Sequence, residues 1–419
     1  MDFEARSFLT SLFKAAVTAA DPLNGVVRHL PERPKGKTVV VGAGKGAAQM
    51  ARALESIWDG PLEGVVVTRY GYGCETRHVE VIEASHPVPD SAGLAASKRL
   101  IETVKDLSAD DLVIALICGG GSALLPSPPQ GLSLEDEISL NETLLSSGAP
   151  ISAMNVVRKH LSTIKGGRLA TATKARVVSL IVSDIPGDNP AHVASGPTVP
   201  DYSTRHDALE IIARYGLTLP LAAIDHLNSA AADAPRPDDP AVVRNSHHVI
   251  ASAGVSLEAA AQLARANGIE AAILSDAVEG EAREVALVHA AIAKEILARN
   301  RPFSKPVVIL SGGETTVTIR KMGGKGGRNG EFALAAAIAL DGYDFHLIAA
   351  DTDGIDGSEA NAGAFADGTT VKRLRLTALD ARRILDANDS FTAFNAIGDL
   401  FETGPTGTNV NDFRAILLS

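Results

Sequence analysis

Short runs of Val, Ile, Leu and Ala alternate along the chain with longer stretches of helical periodicity. KTVVVG (37–42), GVVVT (64–68), VEVIEA (79–84), DLVIALICG (111–119) and ARVVSLIVSD (175–184) read as strands. These runs are continuously apolar, the pattern of strands buried on both faces. Helical stretches fall between them, around residues 44–58, 90–108, 134–147 and 150–165. Such alternation predicts a parallel sheet covered by helices on both sides. After residue 230 the pattern changes. AADAPRPDDPAVVRN (231–245) is rich in Pro, Asp and Ala and reads as a linker. A second α/β set follows it: HHVIAS, a helix near 255–267, EAAILSD, a helix near 281–298, PVVILSGG, TTVTIR, a helix after Arg328, and DFHLIAADTDG. TTVTIR directly after VVILSGGE suggests a hairpin, so the second sheet is expected to be mixed. The chain therefore reads as two α/β domains, residues 1–235 and 241–419. The first twenty residues add a helix with the apolar stripe Phe8, Leu12, Phe13 and Ala16.

Composition narrows the class. The 419 residues are 45% hydrophobic but only 4% aromatic, so the cores must be built from aliphatic side chains and alanine. A net charge of −11 argues against nucleic-acid or anionic-membrane partners, which need a basic field. It leaves room for small anions in a local basic pocket. Two cysteines, Cys74 and Cys118, cannot build a disulfide framework or a Cys-rich zinc site. No apolar run reaches the ~18 residues of a membrane helix, and the N-terminus lacks a basic leader before an apolar block. A cytoplasmic protein is expected, and a homodimer is compatible with all of this.

The candidate chemistry lies where strands end. Gly42-Ala43-Gly44-Lys45-Gly46-Ala47 follows the first strand and opens a helix. As G-x-G-x-x-A it fits a dinucleotide turn. The acid expected about 20 residues later is missing, and the second strand ends in Thr68-Arg69. An NADP enzyme could use Arg69 instead. Lys45 is the unusual member, a cation in a turn whose N–H groups could converge on an anion. Further glycine loops follow other strands: Gly119-Gly120-Gly121-Ser122, then Gly312-Gly313-Glu314, and GGKGGRNGE with Lys325 and Arg328 at the head of a helix. Several anion-friendly turns at strand ends suggest a polyphosphate site between two lobes. Position 124 is Leu, so Ser122 is not a nucleophile elbow. It is expected to donate a hydrogen bond to a substrate or phosphate oxygen, the competing role being a helix cap.

Acids follow strands as well. Asp184 ends the fifth strand with Asp188 close by, and Asp351, Asp353 and Asp356 share one loop. Carboxylates beside phosphates suit Mg²⁺, which takes a few protein oxygens and completes its shell from phosphate and water. At least two of these five acids are expected simply to shape turns. SAMNVVRKHLSTIKGGRLA (152–170) reads as a helix with Asn155, Arg158, Ser162 and Lys165 on one polar face, a basic surface for a small carboxylate. His86, His160 and His192 occur singly, without metal-ligand spacing, and read as structural or minor binding residues.

Taken together, GAGKGA, SHPVPD, CGGGSALL, MNVVRKHLSTIKGGRLA, SDIPGDNPAHVASGPTVPD, SGGETTV, GGRNGEFALA, DTDGIDG, NDSF and TGPTGTNVND resemble the class II glycerate 2-kinases, which carry a C-terminal MOFRL domain. The resemblance runs from about residue 40 to 412. It implies a Rossmann-like three-layer first domain and a smaller α/β second domain with the MOFRL region at about 305–412. It places the active site in the interdomain cleft. It implies ATP- and Mg²⁺-dependent phosphorylation of D-glycerate at the 2-hydroxyl. By that resemblance Lys45 and Arg328 are the catalytic cations, and Asp184, Glu314, Asp351 and Asn409 are site residues. The expected roles are then as follows. Lys45 and Arg328 neutralise the transferring phosphoryl group, and Asp351 takes or orients the hydroxyl proton. Asp184 and Asp353 hold the metal. Gly44, Gly120, Gly121, Ser122, Arg158, Lys165, Glu314 and Asn409 bind substrate or nucleotide. The family reads G-G-R-N-Q-E where this chain has Gly330 before Glu331, which is expected to loosen the first helical turn. An NADP-dependent hydroxypyruvate reductase is the alternative activity. A bilobal binding protein is a third reading, which leaves the Lys–Arg–Asp constellation idle.

Overall fold

A computed structural model describes residues 3–319 and 323–419. The chain divides into two compact units, Gly25–Ile250 and a second formed by the chain up to Asn24 together with Ala251–Ser419. Each carries one six-stranded sheet.

In the first unit the strands are β1 (Thr38–Ala43), β2 (Glu63–Arg69), β3 (Val79–Ala84), β4 (Leu112–Cys118), β5 (Arg176–Val182) and β6 (Ser246–Ala251), in the order β3-β2-β1-β4-β5-β6. The pairings β1–β2, β2–β3, β1–β4 and β4–β5 are parallel. Every residue of β1 and β4 is buried, as the unbroken apolar runs require. Chain order reverses between β1 and β4, and ligands in open α/β sheets bind at the carboxyl ends of strands beside such a switch point. A satellite helical cluster, with Leu140, Leu144, Val157, Ala208 and Leu227 at its centre, packs apart from the sheet core.

In the second unit β7 (Glu270–Glu281), β8 (Val307–Thr316), β9 (His346–Asp351), β10 (Gly363–Asp367), β11 (Leu400–Phe401) and β12 (Asp412–Leu418) form the order β11-β10-β9-β12-β8-β7. β7 and β8 run parallel and the other pairs antiparallel, so this sheet is mixed as expected. Helices Ala282–Arg299 and Arg328–Ala339 cover one face, and helices Phe3–Ala19 and Ala253–Ala266 cover the other.

Four expectations change. The N-terminal helix belongs to the second unit, not to a first domain spanning 1–235. Its stripe of Leu9, Leu12, Phe13 and Ala16 is fully buried against the second sheet, with the Phe13 ring edge-on to Phe401 and Phe413. HHVIA is the sixth strand of the first sheet, so residues 231–245 deliver an edge strand and the unit boundary falls at Ile250. TTVTIR does not open a hairpin: β8 continues without a turn to Thr316, paired with β7 to its end and with β12 as far as Gly313. Arg320, the last residue of that run, lies outside the described residues. The 152–170 stretch is not one helix either. Helix Ile151–His160 ends at Leu161, and turns with left-handed Gly166 and Gly167 follow. No helix among the described residues is long and apolar enough to cross a membrane.

Candidate active site

In the first unit the carboxyl ends of β1 to β5 bring together Lys45, Arg69, His86, the Gly119–Ser122 loop and Asp184. The turn after β1 is built on Gly44, whose φ of 134° and close approach to Cys118 exclude a side chain. Its N–H groups are already bonded. Gly44 donates to Val67 O at 3.1 Å, Lys45 to Gly119 O at 2.9 Å, and Ala47 to Gly44 O at 3.1 Å. Gly46 donates to Cys118 Sγ at 3.1 Å. Burial pushes the Cys118 thiol up to about 12, so that sulfur acts as a neutral acceptor joining two turns. The expected anion nest at Gly44–Ala47 therefore does not exist. The turn instead presents the Lys45 side chain, which makes no ion pair among the described residues.

The open donors lie on the neighbouring loop. The N–H groups of Gly120 and Gly121 have no acceptor among the described residues. Gly120 adopts φ 78°, and a methyl there would sit 3.0 Å from His86 Nε2 and 3.1 Å from Lys45 Cγ. Burial lowers the His86 pKa, and the charges of Lys45 and Arg69 lower it further, so the imidazole is neutral. Arg69 rests on the Tyr72 ring at 4.6 Å and, like Lys45, has no ion pair among the described residues. Two unpaired cations, a neutral imidazole and two open N–H groups are the kinds of group an anion needs in an otherwise acidic protein. Asp184 lies against Gly119, where a methyl would overlap its carboxylate.

Two residues expected here take other roles. Lys165 is buried, donating to Glu137 Oε1 at 2.7 Å and Leu125 O at 2.8 Å, a structural ion pair with no access to a ligand. Arg158 lies behind the loop, donating to Asn141 Oδ1 at 2.8 Å and Asn155 Oδ1 at 3.3 Å. His160 is structural as expected, its Nδ1 against Ala232 O at 2.8 Å.

In the second unit the cluster centres on Arg328, first residue of helix Arg328–Ala339. Its Nε donates to Asp412 Oδ1 at 2.6 Å, its NH2 to Asp351 Oδ2 at 2.7 Å, and its NH1 to Glu314 Oε1 at 3.2 Å. A guanidinium has five N–H donors, so two remain for a ligand. Burial works against this charge, but Asp412 and Asp351 more than offset it and raise the Arg328 pKa. Asp412, absent from the sequence expectations, is the hub. Its Oδ1 also accepts from Asn329 Nδ2 at 2.8 Å. Its Oδ2 accepts from Thr315 N and Oγ1, each at 3.0 Å, and from the wholly buried Arg414. Burial opposes its ionisation, yet Arg414 and Arg328 hold its pKa below the ordinary value.

The loop acids divide by role. Asp356 caps the helix, Oδ1 accepting from Asn329 N at 2.9 Å and Oδ2 from Gly330 N at 2.7 Å. Those N–H groups are thus closed to a phosphate, and Gly330 is pinned instead of loosened. A methyl at Gly330 would meet Ser390 Oγ at 2.6 Å, so a larger residue needs Ser390 to move. Asp353 shapes its turn by accepting from Ile355 N at 2.8 Å, and Asn409 Nδ2 donates to its Oδ2 at 3.4 Å. Asp351 Oδ1 likewise accepts from Asp353 N at 3.1 Å, so Asp351 and Asp353 both make Asx turns and the expectation of two turn-shaping acids is met.

Asp351 carries the unusual titration. Burial pushes it up to about 8, opposed by Arg328 and assisted by Asp353 and Asp412. Its value lies above the ordinary 3.8, so between those limits the folded chain holds a proton that the unfolded chain has lost. The associated stability is complete below about pH 4 and is lost as pH rises through about 8. Asp351→Asn is therefore expected to flatten the fall in urea midpoint between pH 5 and pH 8. An unchanged fall would remove Asp351 as its source.

A domain of unknown function, DUF4147, matches residues 8–228, and the MOFRL family matches residues 307–412. An Agrobacterium vitis protein named provisionally as a hydroxypyruvate reductase is 50% identical over 100% of this chain and 95% of its own. A glycerate 2-kinase of Pyrococcus horikoshii is 41% identical over 94% of this chain and 93% of its own. The crystal structure of a glycerate kinase from Thermotoga maritima superposes with a TM-score of 0.90 at 37% identity, covering 100% of both chains. With both family matches in place and relatives of this similarity aligned over nearly their whole length, the chain belongs to the class II glycerate 2-kinase family, the glycerate kinases with a MOFRL domain.

Proposed function

We propose that this chain transfers a phosphoryl group from ATP to the 2-hydroxyl of D-glycerate, giving 2-phosphoglycerate and ADP. The observation that carries the reading is Lys45, a lysine without a counter-ion at the β1/β4 switch point, beside the open N–H groups of Gly120 and Gly121. A cation held there is suited to charge that develops on phosphoryl oxygens. Arg328 offers its two remaining N–H donors to the same kind of group. Asp351, fixed by Arg328 and raised by burial to about 8, is suited to orient the 2-hydroxyl, and only its ionised fraction could accept that proton. Arg69 and His86 suit the substrate carboxylate.

Among the described residues no three His, Cys, Asp or Glu side chains converge as a ready metal site, so Mg²⁺ would take one or two carboxylates and complete its shell from phosphate and water. Asp353 is the residue of the second unit that would hold it, and Asp184, at the carboxyl edge of the sheet in the first unit, is separately suited to such an ion. Bound there, the ion would draw charge from the phosphate oxygens. A cytoplasmic setting accords with the two free thiols, Cys74 and Cys118.

Arg69 and the name of the Agrobacterium relative favour the second reading, an NADP-dependent reductase of hydroxypyruvate. Against it, the four N–H groups from Gly44 to Ala47 are bonded inside the protein, where a dinucleotide turn would direct donors at the pyrophosphate. One pair of assays decides. With D-glycerate, Mg²⁺ and ATP, ADP and 2-phosphoglycerate should form, and NADPH should be stable with hydroxypyruvate. NADPH oxidation without ADP formation would overturn the proposal.

A further inference from the structure

Ser122 sits at the end of a hydrogen-bond chain whose direction is fixed from behind. Arg158 NH1 donates to Asn155 Oδ1 at 3.3 Å, and Asn155 Nδ2 donates to His192 O at 3.2 Å. A guanidinium only donates and a backbone carbonyl only accepts, so the amide cannot be flipped. Ser195 Oγ lies 3.1 Å from that same Oδ1 and must give its single proton to it. Ser122 Oγ lies 2.8 Å from Ser195 Oγ and must then donate to Ser195. Its proton is committed inward, and only lone pairs face outward. The expectation that Ser122 donates to a substrate or phosphate oxygen is thereby reversed.

The backbone behind Ser122 is strained to hold this arrangement. Ala194 and Ser195 have φ of 52° and 59°, a region non-glycine residues enter rarely and chiefly at functional sites. Gly166 N–H donates to Ser195 O at 3.0 Å and Gly167 N–H to Gly196 O at 2.7 Å, clamping the turn. A methyl on Gly121 would lie 2.7 Å from Ala194 Cβ, so the strained turn presses on the glycine loop. Asn155 and Ser195 are buried to 3% and 1% exposure, so water does not compete for the chain.

An outward lone pair suits a hydroxyl and repels an anionic oxygen. The relay ends in a neutral amide that cannot take up a proton, so it cannot serve the hydroxyl that reacts. We propose that Ser122 accepts a hydrogen bond from the C3 hydroxyl of the substrate, with Ser195 and Asn155 as positioning residues that set its polarity. The proposal rests on the glycerate kinase reading above.

The test compares D-glycerate with D-lactate, the analogue lacking that hydroxyl, used as a competitive inhibitor. Ser122→Ala is expected to raise KM for D-glycerate about tenfold, the worth of one hydrogen bond. The inhibition constant of D-lactate and KM for ATP should stay within about twofold. Ser195→Ala frees the Ser122 proton and should move KM for D-glycerate the same way, which keeps the proposal testable if Ser122→Ala fails to fold. A parallel weakening of D-glycerate and D-lactate would overturn it, because Ser122 would then hold a group both share. A rise in KM for ATP, or no change at all, would overturn it too. If the wild-type chain has no kinase activity the functional reading falls. Calorimetric binding of D-glycerate and D-lactate to the wild-type and Ser122→Ala chains still decides the inference.

Discussion

Lys45→Ala is expected to lower kcat by about 10²–10³-fold, the scale for removing one preorganised charge from a phosphoryl-transfer site, and to leave the urea midpoint unchanged. The second half follows from the hydrogen bonds. The turn is held by backbone donors of Gly44, Lys45, Gly46 and Ala47, and by Thr68 Oγ1 donating to Lys45 O at 3.0 Å. None of these bonds uses the Lys45 ammonium, which also has no ion pair to lose among the described residues. Steady-state kinetics and urea unfolding of one variant test both halves. A loss below about tenfold would remove Lys45 from the chemistry, and a shifted midpoint would show that its side chain supports the fold.

Asp412→Ala is expected to have the largest effect on stability, about 3–5 kcal/mol, because it leaves buried Arg414 and half-buried Arg328 without their common carboxylate. Turnover should fall with it, since Arg328 loses its Nε partner and its fixed orientation. The Arg414 Nε and NH1 groups already lack a hydrogen-bond acceptor, and its guanidinium lies 5.0 Å from the Phe332 ring. With Asp412 gone, the one side-chain acceptor left to that guanidinium among the described residues is Thr315 Oγ1, 2.9 Å from Arg414 NH2. Urea unfolding reads the stability, and Asp412→Asn, which keeps the shape without the charge, separates packing from electrostatics. A drop under about 1 kcal/mol would show that Arg414 is neutralised by some other group. The same logic alters what Arg328→Ala would report. Removing that cation leaves Asp351 and Asp412 buried together, so a loss of turnover would be mixed with a loss of stability.

The strands of the first sheet were legible because parallel strands buried on both faces leave uninterrupted apolar runs in the sequence. Periodicity reports that an element buries a face, but not against what. This is why the Phe8–Ala16 stripe predicted a helix and could not place it on the second sheet, and why HHVIA was assigned to the wrong sheet. Spacing misled at Arg158–Ser162–Lys165, where the helix stops at Leu161 and the periodic face with it. Lys45, Arg328 and Asp351 were legible as candidates because they lie in glycine and acid loops that follow strands, at positions where the chain resembles the glycerate kinases. Asp412 was missed although NDFRAILL carried a signal. Asp412 and Arg414 occupy alternate positions of an otherwise apolar strand, and charges on a buried strand face need partners. The direction of the Ser122 bond was beyond the sequence, since it depends on three residues distant in the chain meeting through space.

The placement of helix Phe3–Ala19 has a consequence for biosynthesis. It precedes every other described element along the chain, yet the sheet it covers is completed only by β12, the last of them. Domains generally form in the order in which the ribosome delivers them. Here the Gly25–Ile250 unit can be assembled while the helix still lacks its counterpart. Between synthesis of the helix and of β12 the nascent chain therefore carries Leu9, Leu12 and Phe13 without their full cover, a natural landing place for a holding chaperone.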